Sequence, residues 1–214
     1  MDDKRRFPIA VEGFKLIIPL AVLTGLFFLW QWIIAGFIIL IFTLFVAFFF
    51  RDPQRIIPSD DGLVVSPADG KVVVVTKIHE KDYLDQPVYQ ISIFLSIFNV
   101  HVNRVPVGGK VEIIKYNPGK FHIAAVAKAS LENEQTSMVI GSGSTKILVK
   151  QIAGFIARRI ICYVKTGDAI KKGERYGLIC FGSRVDIFLP ENSEIKVKLG
   201  DHVKGAKDII AILK

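Results

Sequence analysis

Val164-Lys165-Thr166-Gly167-Asp168-Ala169-Ile170-Lys171-Lys172-Gly173 is echoed further along the chain by Val197-Lys198-Leu199-Gly200-Asp201-His202-Val203-Lys204-Gly205. Each copy reads V-K-x-G-D, followed by an apolar stretch and a further glycine. A Gly-Asp step between β-formers is turn chemistry leading into a strand, so two such units predict a β architecture around them. Working outward, Val64-Val65, Val72–Thr76, Val88–Phe94, Val111–Tyr116, Thr136–Ile140, Lys146–Val149, Ile160–Val164, Gly177–Phe181 and Val185–Leu189 all read as strands bounded by turn residues. The domain from 63 to 214 is therefore expected to be mainly β.

Paired turn-and-strand units of this kind suit a flattened β-sandwich of the lipoyl or barrel-sandwich-hybrid type. Carrier domains of that type present a lysine in a hairpin, typically between methionines. Here Met1 and Met138 are the only methionines, so a carrier role finds little support. Cys162 and Cys180 lie in apolar runs without ligand spacing, which reads as buried thiols; neither a disulfide framework nor a metal site is expected. Residues 51–214 carry 24 basic and 17 acidic groups, a net +7. Such a surface suits anionic lipid. Nucleic acid is not expected, because no Arg-rich helix, zinc spacing or aromatic-basic platform is present.

Before that domain the composition is different. Leu16–Phe50 is 35 residues without a formal charge, and Gln31 is its only strongly polar member. That is far longer than a signal-peptide h-region of about 7–15 residues. As one helix it would measure about 52 Å, against roughly 30 Å of hydrocarbon. A hairpin fits better: Trp30-Gln31-Trp32 reads as an interfacial turn between spans Leu16–Leu29 and Ile33–Phe50. Lys4, Arg5, Arg6 and Lys15 precede the run, and Arg51 and Arg55 follow it. The positive-inside rule then places both ends, and with them the β domain, on the cytoplasmic side of the cell membrane; the alternative is one long tilted span with the domain outside. Residues 1–15 form a short cytoplasmic segment, and 51–62, with Pro53, Pro58 and Ser59-Asp60-Asp61-Gly62, form a linker.

Four histidines bound the acid–base candidates. His79 and His202 fall in polar turns and read as solvated. His122, after Pro118-Gly119-Lys120-Phe121, could line a site or serve structure. His101 stands in Asn99-Val100-His101-Val102-Asn103-Arg104, where Asn99, His101 and Asn103 alternate with valines and would share one face of a strand. Residue type alone leaves His101 open between a catalytic and a structural role. Serine is the expected nucleophile class. Gly141-Ser142-Gly143-Ser144-Thr145 reads as a hairpin turn, whereas Gly182-Ser183 interrupts two apolar runs with little other turn chemistry. Ser66-Pro67-Ala68-Asp69-Gly70 holds an acid in a turn before the first long strand.

Phe50-Arg51-Asp52-Pro53, Ser66-Pro67-Ala68-Asp69-Gly70, Val100-His101-Val102-Asn103-Arg104, Asn117-Pro118-Gly119-Lys120-Phe121, Glu132-Asn133-Glu134 and Phe181-Gly182-Ser183-Arg184-Val185-Asp186 occur in this order. Together they resemble the short, archaeal-type branch of the phosphatidylserine decarboxylases. The resemblance implies a proenzyme in which the serine of Gly182-Ser183 attacks the preceding carbonyl. The peptide becomes an ester, and elimination and hydrolysis leave an N-terminal pyruvoyl group derived from Ser183. The products would be a β chain of residues 1–182 and an α chain beginning at that pyruvoyl, which would form a Schiff base with the substrate amine and accept the electrons released with carbon dioxide.

The same resemblance implies that Asp69 and a histidine assist Ser183 in self-cleavage. Longer relatives carry two histidines three residues apart where this chain has His101 and Arg104. His101 then serves both cleavage and decarboxylation, or His122 or a water takes one step. Asn103, Arg104 and His122 are candidates for substrate binding. The expected partners are a serine phospholipid and the bilayer, with a homo-oligomer left open. Two other readings remain: the same chemistry on another serine phospholipid such as archaetidylserine, and a non-catalytic membrane-anchored β-sandwich adaptor.

Overall fold

The computed structural model describes residues 8–119, 133–154, 160–180 and 182–214. It divides into two compact units, Met1–Gln54 and Arg55–Lys214.

The first unit is a helical hairpin, α1 (Val11–Leu29) and α2 (Ile33–Phe49). Its turn falls on Trp30-Gln31-Trp32, as the sequence predicts, with Gln31 at φ 60°. The first helix begins earlier than the uncharged run, taking Glu12 and Lys15 into its opening turns. By length and composition α1 can cross a membrane, and α2 is a shorter apolar helix. Small and hydroxylated residues let the helices meet. Thr24 and Thr43 are buried, each donating to a carbonyl one turn back (2.8 and 2.7 Å), and their hydroxyls lie 3.5 Å apart. Gly36 lies under the Phe28 ring, where a Cβ would come within 2.7 Å. The two ends are tied by Ala10 N–H to Phe50 O and Asp52 N–H to Pro8 O, both 2.7 Å. Both termini of the hairpin therefore leave side by side.

The second unit holds β1 (Leu63–Val65), β2 (Gly70–Glu80), β3 (Gln86–Leu95), β4 (Val102–Arg104), β5 (Gly109–Asn117), β6 (Gln135–Ser142) and β7 (Thr145–Ile152). There follow β8 (Ile160–Cys162), β9 (Ala169–Ile170), β10 (Arg175–Ile179), β11 (Ser183–Pro190), β12 (Glu194–Ile195), β13 (His202–Val203) and β14 (Ile209–Ile212). One curled eight-stranded sheet runs β13-β2-β3-β11-β7-β6-β5-β9, and two three-stranded sheets, β4-β10-β8 and β1-β14-β12, complete the β domain. All pairings are antiparallel. Val72, Ile91, Ile93, Val111, Met138, Ile147, Val149, Val185 and Ile187 form the centre of the apolar core, each no more than 1% exposed.

The two V-K-x-G-D units close the two ends of the large sheet in the same way. In the first, Asp168 Oδ2 accepts from Lys165 N–H (2.8 Å), Gly167 has φ +97°, and Gly167 N–H and Asp168 O bond Val111 (2.8 and 2.9 Å). In the second, Asp201 Oδ2 accepts from Lys198 N–H (2.9 Å), Gly200 has φ +95°, and Gly200 N–H and Asp201 O bond Val72 (2.9 and 2.8 Å). The strands that follow pair alike, Ile170 with Gly109 and Val203 with Gly70. Only a left-handed residue completes this turn, which is why each copy has a glycine before the aspartate.

Two local expectations change. The strand predicted through Asn99, His101 and Asn103 spans only Val102–Arg104. Asn99 lies instead in a turn, where its Oδ1 accepts from the Ser96 N–H (2.9 Å) and hydroxyl (2.8 Å), a side-chain bond that competes with strand pairing. The runs on either side of Gly182-Ser183 are not one interrupted pair either: β10 belongs to the small sheet and β11 to the large one.

Candidate active site

Ser183 is the first residue of β11 and pairs with Leu95. Its side chain points to the same face as Val185, Ile187 and Leu189, all in the core. The residue is fully buried and its Oγ makes no hydrogen bond among the described residues. A buried hydroxyl without a partner costs about 1–3 kcal/mol, a cost that an alanine there would not carry. Before it, Gly182 has φ +63°, yet a Cβ at that position would meet nothing within 4 Å. Backbone geometry, not space, requires the glycine.

His101 is fully buried, and its Nδ1 lies 3.0 Å from Asn99 O. A carbonyl only accepts, so Nδ1 carries a proton, and in the neutral ring the lone pair is then on Nε2, the tautomer of a general base. Its own carbonyl accepts from Ile179 N–H at 3.4 Å, four residues before Ser183. No hydrogen bond joins His101 to Ser183 Oγ. Arg104 N–H bonds Pro67 O (2.9 Å) and Val65 N–H bonds Pro106 O (3.0 Å). These two bonds lay the segment before Asp69 alongside the segment that follows His101. The Asp69 carboxylate accepts from Gly205 N–H through Oδ1 (2.7 Å) and from Arg55 through Oδ2 (2.8 Å). The closing glycine of the second repeat thus holds the acid in place.

The other candidates separate. Arg104 is 6% exposed and its guanidinium donates to Gly173 O at 3.3 Å. Asn103 is fully buried and accepts from Gln151 Nε2 at 2.8 Å. His122 lies outside the described residues. Neither cysteine is in a disulfide and both are half-buried, and burial raises the Cys162 thiol above its ordinary range, which disfavours a thiolate nucleophile there. Burial, with Cys162 alongside, also pushes the Tyr176 phenol well up, so it stays neutral. No group of metal-ligating side chains occurs among the described residues.

Two features escape the sequence reading. Gln151 pairs with Val185 on β11, so it shares the core face with Ser183, offset by one pleat, a separation of about 7–8 Å. Asn103 Nδ2 and Gln151 Oε1 are buried and make no hydrogen bond among the described residues, leaving one donor and one acceptor in the interior near Ser183. The available signal was phase: Gln151 falls in step with Ile147 and Val149, which face the core. On the opposite face of β11, Arg184 Nε lies 2.9 Å from Asp186 Oδ1, both side chains about 1% exposed. Asp186 Oδ2 further accepts from Gln90 Nε2 at 3.1 Å, which ties the strand beginning at Ser183 to β3.

A buried serine behind a left-handed glycine, with a buried imidazole and a fixed carboxylate on adjoining segments, defines a β-sandwich with a candidate internal cleavage site. The family model described as phosphatidylserine decarboxylase matches residues 42–211. A phosphatidylserine decarboxylase proenzyme of Geotalea uraniireducens is 47% identical over 207 residues, covering 96% of this chain and 97% of that protein. Those of Syntrophotalea carbinolica (47%, covering 97% of each) and Ruegeria pomeroyi (44%, covering 100% of this chain and 99% of that one) are similar. The chain belongs to the phosphatidylserine decarboxylase family.

Proposed function

We propose that the chain is a self-cleaving proenzyme that converts phosphatidylserine to phosphatidylethanolamine and carbon dioxide, with a pyruvoyl group made from Ser183. The observation that carries the assignment is Ser183 itself, fully buried with an unbonded hydroxyl directly after a glycine at φ +63°. Its Oγ attacks the Gly182 carbonyl carbon and the C–N bond breaks. The hydroxyl proton passes through His101 Nε2 to the departing amine, and an ester remains. Loss of the Ser183 α-proton and cleavage of its Cβ–O bond expel the Gly182 carboxylate. Water then displaces the nitrogen as ammonia. The resulting ketone, conjugated to an amide, would supply a covalent link to the substrate amine and a sink for the electron pair left when carbon dioxide departs.

In this reading Asp69 fixes the His101 segment, and the imidazole moves protons in both cleavage and turnover. Asn103 is a candidate headgroup contact through its Nδ2, which makes no hydrogen bond among the described residues. The Arg184–Asp186–Gln90 set keeps the new N-terminus in the sheet after the chain is cut into residues 1–182 and 183–214. The hairpin anchors the enzyme in the membrane that contains its substrate, with the catalytic domain on the cytoplasmic side. A denaturing gel with mass analysis of the smaller fragment tests the assignment. Two fragments are expected, the smaller starting with a pyruvoyl at position 183, while Ser183→Ala stays full length. Normal cleavage in Ser183→Ala overturns it.

A further inference from the structure

The turn Ser96-Ile97-Phe98-Asn99 joins the strand opposite Ser183 to His101. It is pinned by Asn99 Oδ1, yet it leaves Phe98 65% exposed. Phe98 is three residues from Leu95, the pairing partner of Ser183, and three from His101. Two exposed lysines lie near the candidate acid Asp69, Lys71 on β2 and Lys204 directly after β13. Lys71, two residues after Asp69, pairs with Phe94 on one side and His202 on the other. Lys204 precedes the Gly205 that holds the Asp69 carboxylate. The nearby acids do not neutralise these lysines through side-chain pairs: Asp201 and Asp208 turn their carboxylates to the backbone N–H groups of Lys198 and Lys204 (2.9 and 2.8 Å). Each of the three candidate catalytic residues thus has an exposed aromatic or cationic side chain within three positions of it or of the residue that bonds it.

We propose that Phe98, acting with Lys71 and Lys204, is a docking point through which the catalytic domain enters the headgroup layer of an anionic bilayer. An exposed ring held at a fixed turn costs little side-chain entropy to bury, and aromatic rings favour the boundary between headgroups and acyl chains. The exposed lysines near Asp69 meet lipid phosphates, and the +7 domain is attracted to the same surface. The hairpin confines the protein to the membrane, whereas Phe98 presents the Ser183 end of the sandwich to the lipid. This inference rests on Ser183 being the reacting residue.

The test uses the full-length protein in vesicles containing anionic phospholipid, with the photoreactive p-benzoylphenylalanine in place of Phe98. In a second variant it replaces Ile113, which is 40% exposed in the middle of β5. Irradiation at 98 is expected to add the mass of a phospholipid to the 1–182 fragment, and at 113 to add none. Phe98→Ser and Lys71→Gln/Lys204→Gln should each lower turnover on vesicles about tenfold more than turnover on a dispersed short-chain phosphatidylserine. No lipid adduct at 98, equal adducts at 98 and 113, an adduct to a second copy of the chain, or an equal loss on both substrates overturns the proposal. The same gel reports cleavage, so an uncut chain bearing a lipid adduct at 98 would refute the Ser183 assignment and leave the docking point standing.

Discussion

Gln151 donates a 2.8 Å hydrogen bond to Asn103 Oδ1, joining the large sheet to β4 across the interior. The Gln151 amide lies against Gly177, where a Cβ would come within 2.6 Å of its Nε2. Gly177 pairs with Asn103 in the small sheet, so a residue without a side chain makes room for a carboxamide that orients its neighbour. Gln151→Leu strips Asn103 Oδ1 of its donor inside the protein, and stability should fall by roughly 1–3 kcal/mol. If Asn103 contacts the headgroup, KM should also rise more than kcat falls. Thermal unfolding and a kcat–KM split on short-chain phosphatidylserine check both; an unchanged KM would restrict the pair to packing.

Asp69→Asn separates charge from shape. The asparagine Oδ1 can still accept from Gly205 N–H, so the turn should keep its form while the negative charge beside the His101 segment is lost. Self-cleavage in Asp69→Asn and in His101→Ala should slow by several powers of ten, the scale seen when members of comparable serine-base-acid sets are removed. Timed gels after synthesis follow the uncut chain, and circular dichroism checks the fold. Wild-type cleavage in both variants would leave the two residues with structural roles only.

Glu80 offers a pH test away from the site. Burial would raise its carboxyl, but the N–H groups of Leu84 and Tyr83 and the Lys150 ammonium outweigh that effect and lower it. A carboxyl lowered in the folded state contributes stability that is fully present above its unfolded value of about 4.3 and is lost as pH falls through the lower folded value. Glu80→Gln should therefore destabilise the domain at pH 7 by roughly 1–3 kcal/mol and narrow its gap from wild type below about pH 4. Unfolding midpoints from pH 7 to pH 3 give the comparison. A constant gap over that range would remove the ionised Glu80 from the account.

Much of the fold was legible because its signals are local. The charge-free run with Trp30-Gln31-Trp32 at its centre marked the hairpin, and the V-K-x-G-D units marked turns whose Gly167 and Gly200 do adopt left-handed backbone. The short strands β12 and β14 were missed, since two to four residues carry no periodicity and are held by partners distant in sequence. Alternation misled at Asn99, where a side-chain bond to Ser96 stops the strand. In the site, motifs singled out Ser183, His101 and Asp69. What holds them was hidden: Gly205 and Arg55 on Asp69, and Gln151 on Asn103, are contacts that appear only when sheets stack.

Removal of residues 1–54 tests the hairpin. The break between the two compact units falls at Gln54 and Arg55, and every described strand lies beyond it. The truncated chain should therefore fold, cleave at Ser183 and turn over dispersed short-chain phosphatidylserine. On vesicles it loses the effective concentration that a tether supplies, and turnover should drop at least about tenfold. What remains depends on Lys71, Lys204 and the rest of the basic surface, whose attraction is screened over about 8 Å at physiological ionic strength. Vesicle activity measured from 20 mM to 500 mM salt, ordinary laboratory limits on either side of about 0.15 M, should thus fall steeply for the truncated chain and stay nearly level for the full-length one. Equal activity and equal salt dependence would mean that the hairpin does something other than hold the enzyme to its substrate.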